Sequence, residues 1–196
     1  LFGAVNKITT TKKLIDKKQL SNLVVRCLIL KHNEANCKMV TSGKYQDEIA
    51  YLVANKARNN FIRNLALKIK GNTLCLFQLV EKHGRNLFEI INDKAEKDRK
   101  VFYIYGGVEA EEREKIRAIV EKENDAIIVA SYGTFSTGIN IKNLHNIIFA
   151  SPSKSRIRNL QSIGRDLRLG DNKVNAALYD IADDLQYKSK ENFTLK

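Results

Sequence analysis

The sequence has 196 residues, of which 43% are hydrophobic, so the chain can form one ordinary core with short extensions. No stretch approaches the ~20 apolar residues that would cross a bilayer, and the first residues lack the apolar run of a secretory signal. We therefore expect a cytoplasmic protein with no membrane contact. The three cysteines, Cys27, Cys37 and Cys75, show no CxxC spacing, which excludes an encoded disulfide framework or zinc site.

The net charge of +12 lies mostly at the N-terminal end of the sequence. Residues 1–70 hold 14 Lys and Arg against 4 Asp and Glu, whereas residues 71–150 hold 11 against 12. A polyanion such as nucleic acid would be attracted to this end. An acidic protein partner or an ordinary basic surface fits the same charge, so the charge alone leaves these alternatives open.

The hydrophobic pattern predicts alternating strands and helices. A branched apolar run at 23–30 predicts a strand, and apolar residues at three- and four-residue spacing over 44–70 predict one long helix that ends at Gly71. Further strands are predicted at 73–79, 101–105, 126–130, 146–150 and 176–181, and further helices at 80–95, 110–123 and 155–168. This order predicts an α/β fold with a mainly parallel sheet covered on both faces, whose ligands collect at the carboxyl ends of the strands.

The predicted helix 155–168 carries the most specific pattern. At about 100° per residue one of its faces is polar, and Leu160, Ile163 and Leu167 form a separate apolar stripe. The polar face consists of Gln161, Gly164, Arg165 and Arg168. Two guanidinium groups one turn apart suit a phosphate group, because both donate in fixed geometry and stay charged. A solvated basic face is an equally good interpretation of the residues alone.

Gln-x-x-Gly-Arg-x-x-Arg, at residues 161–168, resembles motif VI of superfamily 2 helicases. The resemblance implies a RecA-like three-layer sandwich, the second motor domain of such an enzyme. In that family both arginines reach the phosphates of ATP held by the first domain. By position, Arg168 would be the arginine finger and Arg165 its phosphate-binding neighbour, with Gln161 and Gly164 in support.

The hydroxyl-rich and glycine-rich segment 131–141 follows the strand predicted at 126–130. The residues alone favour a strand-to-helix turn with Ser or Thr caps, although small hydroxyl groups can also position a nucleic-acid backbone. The segment is similar to helicase motif V. That resemblance implies that Ser136, Thr137 and Gly138 face DNA and that Asn140, in place of the usual Asp, lies near the ribose of ATP.

The segment 73–85 resembles motif IV and the helix after it. Gln78, Lys82, His83 and Arg85 are accordingly predicted to contact DNA, although an exposed histidine without a ligand is an equally good interpretation of His83. His32 and His145 have no spacing that suggests a metal or catalytic pair. Gly106 and Gly107 lack the third glycine of G-x-G-x-x-G, and the glutamates that follow would repel a phosphate, so this is predicted to be a structural turn.

Two motifs of a complete helicase are missing from the sequence. No G-x-x-x-x-G-K-[ST] pattern occurs, and no DExx-type acidic box follows a predicted strand. We therefore expect that the chain alone is inactive, and that ATP and Mg²⁺ are bound in the complete two-domain enzyme. The predicted organisation is an interdomain connection over 1–22, the helicase domain over 23–182 and a tail over 183–196.

The resemblance extends to helicases that remodel recombination and replication intermediates by branch migration and by unwinding forks and R-loops. It implies branched or duplex DNA and an N-terminal RecA-like domain as partners. Two alternatives remain: a free-standing basic nucleic-acid-binding domain, and a decayed helicase half that acts as a protein adaptor.

Overall fold

The computed structural model describes residues 13, 17, 21–138, 141, 143–152 and 175–194, with the backbone only for 136–138. The strands are β1 (Asn22–Lys31), β2 (Thr73–Phe77), β3 (Val101–Ile104), β4 (Ile127–Ser131), β5 (Asn146–Phe149) and β6 (Asn175–Asp184). The helices are α1 (Glu34–Thr41), α2 (Tyr45–Ala54), α3 (Lys56–Lys68), a π-helical turn (Val80–Gly84), α4 (Arg85–Lys94), α5 (Ala110–Val120) and α6 (Tyr132–Gly138). Within these residues, no helix has the length and apolar character needed to span a membrane.

The six strands form one sheet in the order β1-β6-β5-β2-β4-β3, and every pairing is parallel. The predicted mainly parallel α/β sheet is therefore confirmed. Because all strands point the same way, their carboxyl ends meet at one edge of the sheet. We call this the carboxyl edge.

Alternating residues of the central strands face two different cores. Leu74, Leu76 and Ile128 lie in one core with residues of α5 and α6. Cys75 and Phe77 lie in the other with residues of α3 and α4. Burial on both faces explains why these strands are continuous apolar runs in the sequence. The result is the predicted three-layer sandwich.

The prediction of one long helix over 44–70 is wrong, since the structure has two helices there. α2 ends at Ala54, and Asn55 takes an extended conformation in which its side chain accepts a hydrogen bond from the backbone N–H of Arg58. Asn55 is thus the N-cap of α3, a role that its short polar side chain fills well. The preceding helix α1 was not predicted, because its only buried residues are Cys37 and Val40.

The chain after β6 folds back onto α1 and α2. β6 runs to Asp184, so the predicted boundary after residue 182 falls inside a strand. Leu185 packs with Cys37, Val40 and Leu52 in a small separate core. The carboxylate of Glu48, which is 1% exposed, accepts the backbone N–H groups of Phe193 at 2.7 Å and Thr194 at 2.8 Å.

Residues 185–194 of the predicted tail therefore contact the domain, and the division of the chain at residue 182 stays a prediction. The predicted connection over 1–22 lies almost entirely outside the described residues and stays a prediction.

Candidate functional site

Three neighbouring strands bring the predicted motifs together at the carboxyl edge. The register pairs Phe77 of β2 with Ser131 of β4, so Gln78 and Tyr132 leave the sheet side by side. β5 lies on the other side of β2, and the Tyr132 hydroxyl donates to the backbone carbonyl of Ser151 just after β5. The segments that resemble motifs IV and V thus begin on adjacent strands.

A chain of hydrogen bonds stiffens this edge beneath the surface. The hydroxyl of Ser151 accepts the backbone N–H of Gln78 at 3.1 Å and lies 2.9 Å from Nδ1 of His83. Nε2 of His83 lies 3.1 Å from Oδ1 of Asn59, whose amide nitrogen donates to the carbonyl of Val53. These bonds join the ends of β2 and β5 to α2, α3 and the π-helical turn.

The partners of His83 determine its proton position. Because Asn59 uses its nitrogen toward Val53, its oxygen must accept, so His83 donates from Nε2–H and accepts at Nδ1 from the Ser151 hydroxyl. Burial, with a contribution from the positive charge of Arg58, lowers the pKa of His83 to about 3. The ring is therefore neutral at physiological pH.

The prediction that His83 contacts DNA is wrong. Its side chain is 0% exposed, and both ring nitrogens bond to protein groups. The alternative of an exposed histidine is also wrong. Sequence reasoning missed the role of His83 because Asn59 and Ser151 lie 24 and 68 residues away along the chain.

Gly84 lets the π-helical turn approach the sheet. A Cβ atom on Gly84 would lie 2.4 Å from the ring of Phe77, which is fully buried and cannot move aside. Its N–H bonds to the carbonyl of Leu79, five residues earlier, as a π-helical turn requires. The wide turn carries His83 into the polar chain below it.

The other residues predicted from the motif IV segment lie at the surface. Gln78 and Lys82 are exposed. Arg85 is also exposed and pairs with Glu81 at 3.0 Å, and this hydrogen bond lowers the pKa of the Glu81 carboxyl. The charge of Arg85 is thus partly offset, whereas among the described residues Lys82 forms no ion pair. All three side chains can reach a ligand at this edge.

The segment that resembles motif V begins with a helix cap. The Ser131 hydroxyl lies 2.7 Å from the Thr134 hydroxyl and accepts the Thr134 backbone N–H at 3.3 Å, while Phe135 anchors α6 in the core. The strand-to-helix turn expected from the residues is therefore present. The backbone of 136–138 completes α6, and contact of Ser136, Thr137 and Gly138 with DNA stays a prediction.

A second buried polar cluster lies at the ends of β1 and β6. Nε of Arg58 donates to both carboxylate oxygens of Asp183 at 3.0 and 2.9 Å, and Nη1 donates to the carbonyl of Ala150 at 2.8 Å. His32 lies 3.0 Å from the same carboxylate and 3.0 Å from the hydroxyl of Tyr51. No local sequence pattern indicates this cluster, because its members are up to 151 residues apart.

Several predicted residues lie outside the described part of the chain. They are Asn140, Gln161, Gly164, Arg165 and Arg168. The structure does describe the residues on either side of the segment that carries Gln161, Gly164, Arg165 and Arg168. The carbonyl of Ala150 and the hydroxyl of Ser151 are both held by buried partners, and the chain returns as β6 beside β5.

Gly106 and Gly107 form the structural turn predicted for them. The backbone N–H of Val108 bonds to the carbonyl of Tyr105 at 3.0 Å, and α5 starts at Ala110 with Glu111 and Glu112 in its first turn.

Metal-binding clusters and paired cysteines are also absent from the described part of the chain. Over these residues no group of three or more His, Cys, Asp or Glu side chains could hold a metal ion. All three cysteines are free thiols; Cys27 is exposed and Cys37 is buried. Burial raises the pKa of the Cys75 thiol to about 12, so this group stays protonated.

The comparison with protein families identifies this arrangement. Residues 56–170, more than half of the chain, match the helicase conserved C-terminal domain. The chain belongs to the helicase C-terminal domain family. The parallel six-stranded sheet of the described residues is that of a RecA-like helicase C-terminal domain.

The sequence and the crystal structure of one relative support the same family. The chain is 35% identical over 199 residues to the ATP-dependent DNA helicase uvsW of Enterobacteria phage T4, covering 100% of this chain and 39% of the relative. The crystal structure of T4 UvsW matches with a TM-score of 0.73 and 34% identity, over 90% of this chain and 36% of that one.

A more distant structure shares the fold alone. Domain 2 of the DEAD-box helicase Mss116p, bound to an RNA duplex, has a TM-score of 0.53 and 13% identity over 80% of this chain and 54% of that one. The chain spans well under half the length of T4 UvsW.

Proposed function

We propose that this chain acts as the second motor domain of an ATP-dependent DNA helicase that remodels recombination and replication intermediates. The main support is the adjacency of the motif IV and motif V segments, which leave β2 and β4 side by side. The 35% identity to a DNA helicase over the whole chain supports DNA as the substrate. Branch migration and the unwinding of forks and R-loops belong to the same proposal.

In this proposal the chain supplies positive charge to ATP that is bound, with Mg²⁺, by an N-terminal RecA-like domain. Arg168 acts as the arginine finger and Arg165 as its neighbour, with Gln161, Gly164 and Asn140 in support. Guanidinium groups suit this task, since they donate to phosphate oxygens in a fixed geometry. An arginine finger accelerates phosphoryl transfer by factors of about 10³ to 10⁵. ATP, when bound, would supply a phosphoanhydride bond whose cleavage by water is coupled to closure of the cleft.

The DNA grip in this proposal lies at the carboxyl edge. Ser136, Thr137 and Gly138 contact the phosphate backbone, together with the exposed side chains of Gln78 and Lys82. Such contacts position the backbone and read no bases. Because the buried hydrogen-bond chain through His83 holds the ends of β2 and β5, closure of the cleft would move this grip as one unit.

The test is complementation of the missing half. Fusing the chain to the first motor domain of a related helicase should give DNA-stimulated ATP hydrolysis. Arg168→Ala should reduce that rate by at least about 10³-fold, while Arg63→Ala, a change of the same type on α3, should leave it near the parent value. Full activity of the Arg168→Ala fusion would refute the finger assignment. DNA binding by the isolated chain with no stimulated hydrolysis in the fusion would favour a free-standing nucleic-acid-binding domain.

A further inference from the structure

A small basic pocket lies just beyond the carboxyl end of β6, outside the motif segments. Its volume is about 200 Å³. The chain after β6 and the C-terminal end of α1 form its walls. We call it the lysine pocket, and its polar lining consists of Lys38, Thr41, Ser42, Lys188, Ser189 and Lys190.

The walls of the lysine pocket are held in place by buried contacts. Tyr187 packs against the small core of Cys37, Val40, Leu52 and Leu185. Tyr187 and Lys190 exchange two backbone hydrogen bonds, at 3.1 and 3.0 Å, so Lys188 and Ser189 form a tight two-residue turn. The pocket is therefore preformed on one rigid wall and closed by a short turn.

Lys188 adopts a backbone conformation that favours glycine. Its φ is +53°, and it alone among the described non-glycine residues has a positive value. Lysine carries a steric cost in that region. The turn thus keeps a positive side chain at a position where glycine would carry no steric cost.

The ammonium group of Lys188 has an aromatic neighbour, since it lies 5.4 Å from the centre of the Tyr187 ring. Over the described residues, no carboxylate forms an ion pair with the ammonium groups of Lys38, Lys188 or Lys190. The hydroxyl groups of Thr41 and Ser42 donate to the carbonyls of Cys37 and Lys38 at 2.8 Å. They cover oxygens at the end of α1 that would otherwise repel an anion.

We propose that the lysine pocket binds a phosphate group of the DNA backbone, as a contact additional to the motif segments. Three lysines and Ser189 line a cavity whose size suits a phosphate, and such contacts read no base. This proposal rests on the proposed function, in which the chain binds DNA, so DNA is the expected polyanion. In the sheet order β6 lies three strands from β4, about 14 Å across the sheet. The register sets Asp180 level with Ala130, so β6, which ends at Asp184, extends about 10 Å beyond the end of β4. One duplex can therefore cover both places.

The experiment measures binding of the chain to a fluorescein-labelled duplex by anisotropy, over a range of salt concentrations and without ATP. The triple variant Lys38→Gln, Lys188→Gln, Lys190→Gln should bind about tenfold more weakly at moderate salt. The slope of log K against log salt should shrink by about 0.9 for each phosphate contact that is lost.

A matched control removes the same charge from the opposite edge of the sheet. Lys68, Lys97 and Lys122 are exposed and precede β2, β3 and β4, so they lie at the amino ends of the strands. Their triple change to Gln should leave the salt slope close to the parent value. Equal loss in both triple variants would show a general charge effect and overturn the proposal, as would a parent chain that does not bind the duplex.

A single variant separates binding from folding. Lys188→Gly removes one charge and relieves the positive-φ strain, so it should raise the melting temperature while it weakens DNA binding and reduces the salt slope. Unchanged binding by this variant would contradict the proposal. Preferential displacement of the duplex by polyglutamate would instead identify an acidic protein as the partner. These binding measurements use no ATP, so they can contradict the proposal for the lysine pocket while the Arg168→Ala test supports the proposed function. They can equally support the pocket while the Arg168→Ala test contradicts the proposed function.

Discussion

Nδ1 of His83 lies 2.9 Å from the hydroxyl of Ser151, and this contact joins the π-helical turn after β2 to the chain that leaves β5. Ser151 also receives the backbone N–H of Gln78, so one hydroxyl fixes two neighbouring strand ends. A buried contact of this kind restricts the positions of the residues that follow both strands.

The first prediction concerns the loss of the His83 ring. His83→Leu removes both hydrogen bonds and leaves Asn59 and Ser151 without their partner in a buried site. We expect unfolding free energy to fall by about 2–4 kcal/mol. His83→Asn can still reach Ser151 and His83→Gln can still reach Asn59, so each should lose less. Urea denaturation of the three variants measures the order, and equal losses would show that packing alone matters.

The second prediction is the pH dependence that His83 produces. The pKa of His83 is about 3 in the folded chain, whereas that of a histidine in an unfolded chain is 6.5. Between these two pH values the unfolded chain therefore binds more protons than the folded chain. Stability is therefore complete above about pH 6.5 and falls as the pH is lowered toward 3, by at most about 1.4 kcal/mol per pH unit.

His83→Gln provides the control for the pH dependence, since it has no proton to gain in this range. The difference in unfolding free energy between parent and variant should be constant above pH 6.5 and shrink below it. Arg58 and Asp183, the charged groups near His83, are present in both proteins. Parallel curves from pH 4 to 8 would contradict the assignment.

The third prediction concerns the buried pair of Arg58 and Asp183. The side chains are 1% and 0% exposed, so Asp183→Leu leaves the charge of Arg58 uncompensated inside the protein. A loss of about 3–5 kcal/mol is expected. The double variant Arg58→Met, Asp183→Leu removes both charges and should recover part of the loss. A double-mutant cycle by thermal denaturation measures the coupling free energy between Arg58 and Asp183. If the double variant is no more stable than the sum of the two single changes predicts, the two side chains are not coupled and the prediction is wrong.

The fourth prediction uses two glycines with opposite surroundings. Gly84→Ala places a methyl group against the ring of Phe77, whereas a Cβ on Gly106 meets nothing within 4 Å. Gly84→Ala should destabilise the domain by about 1–3 kcal/mol, and Gly106→Ala should change its stability little. Because the clash moves the π-helical turn, Gly84→Ala should also increase amide exchange at His83. Equal melting temperatures of the two variants would contradict the close approach.

Sequence patterns predicted the central strands well because both faces of β2, β4 and β5 are buried, which makes each of them a short apolar run. β1 was predicted from the same kind of run, although most of its residues are exposed. They failed where long-range contacts decide the structure. Asn55 interrupts the predicted helix without Gly or Pro, although an Asn three residues before the N–H that it caps is a recognisable signal. The burial of His83 and Asp183 depends on partners far away in the chain, and no local pattern reports such contacts.

The pairing of β1 with β6 joins the first and last described strands, and β6 is the one neighbour of β1 in the sheet. During synthesis β1 therefore has no strand to pair with until nearly the whole domain has been made. Until then the backbone groups of β1 that bond to β6 stay unpaired, next to the side chains of Val25 and Ile29, which are exposed even in the folded domain. We expect aggregation of nascent or truncated forms that end before residue 175, and chaperone dependence of expression would be its cellular sign.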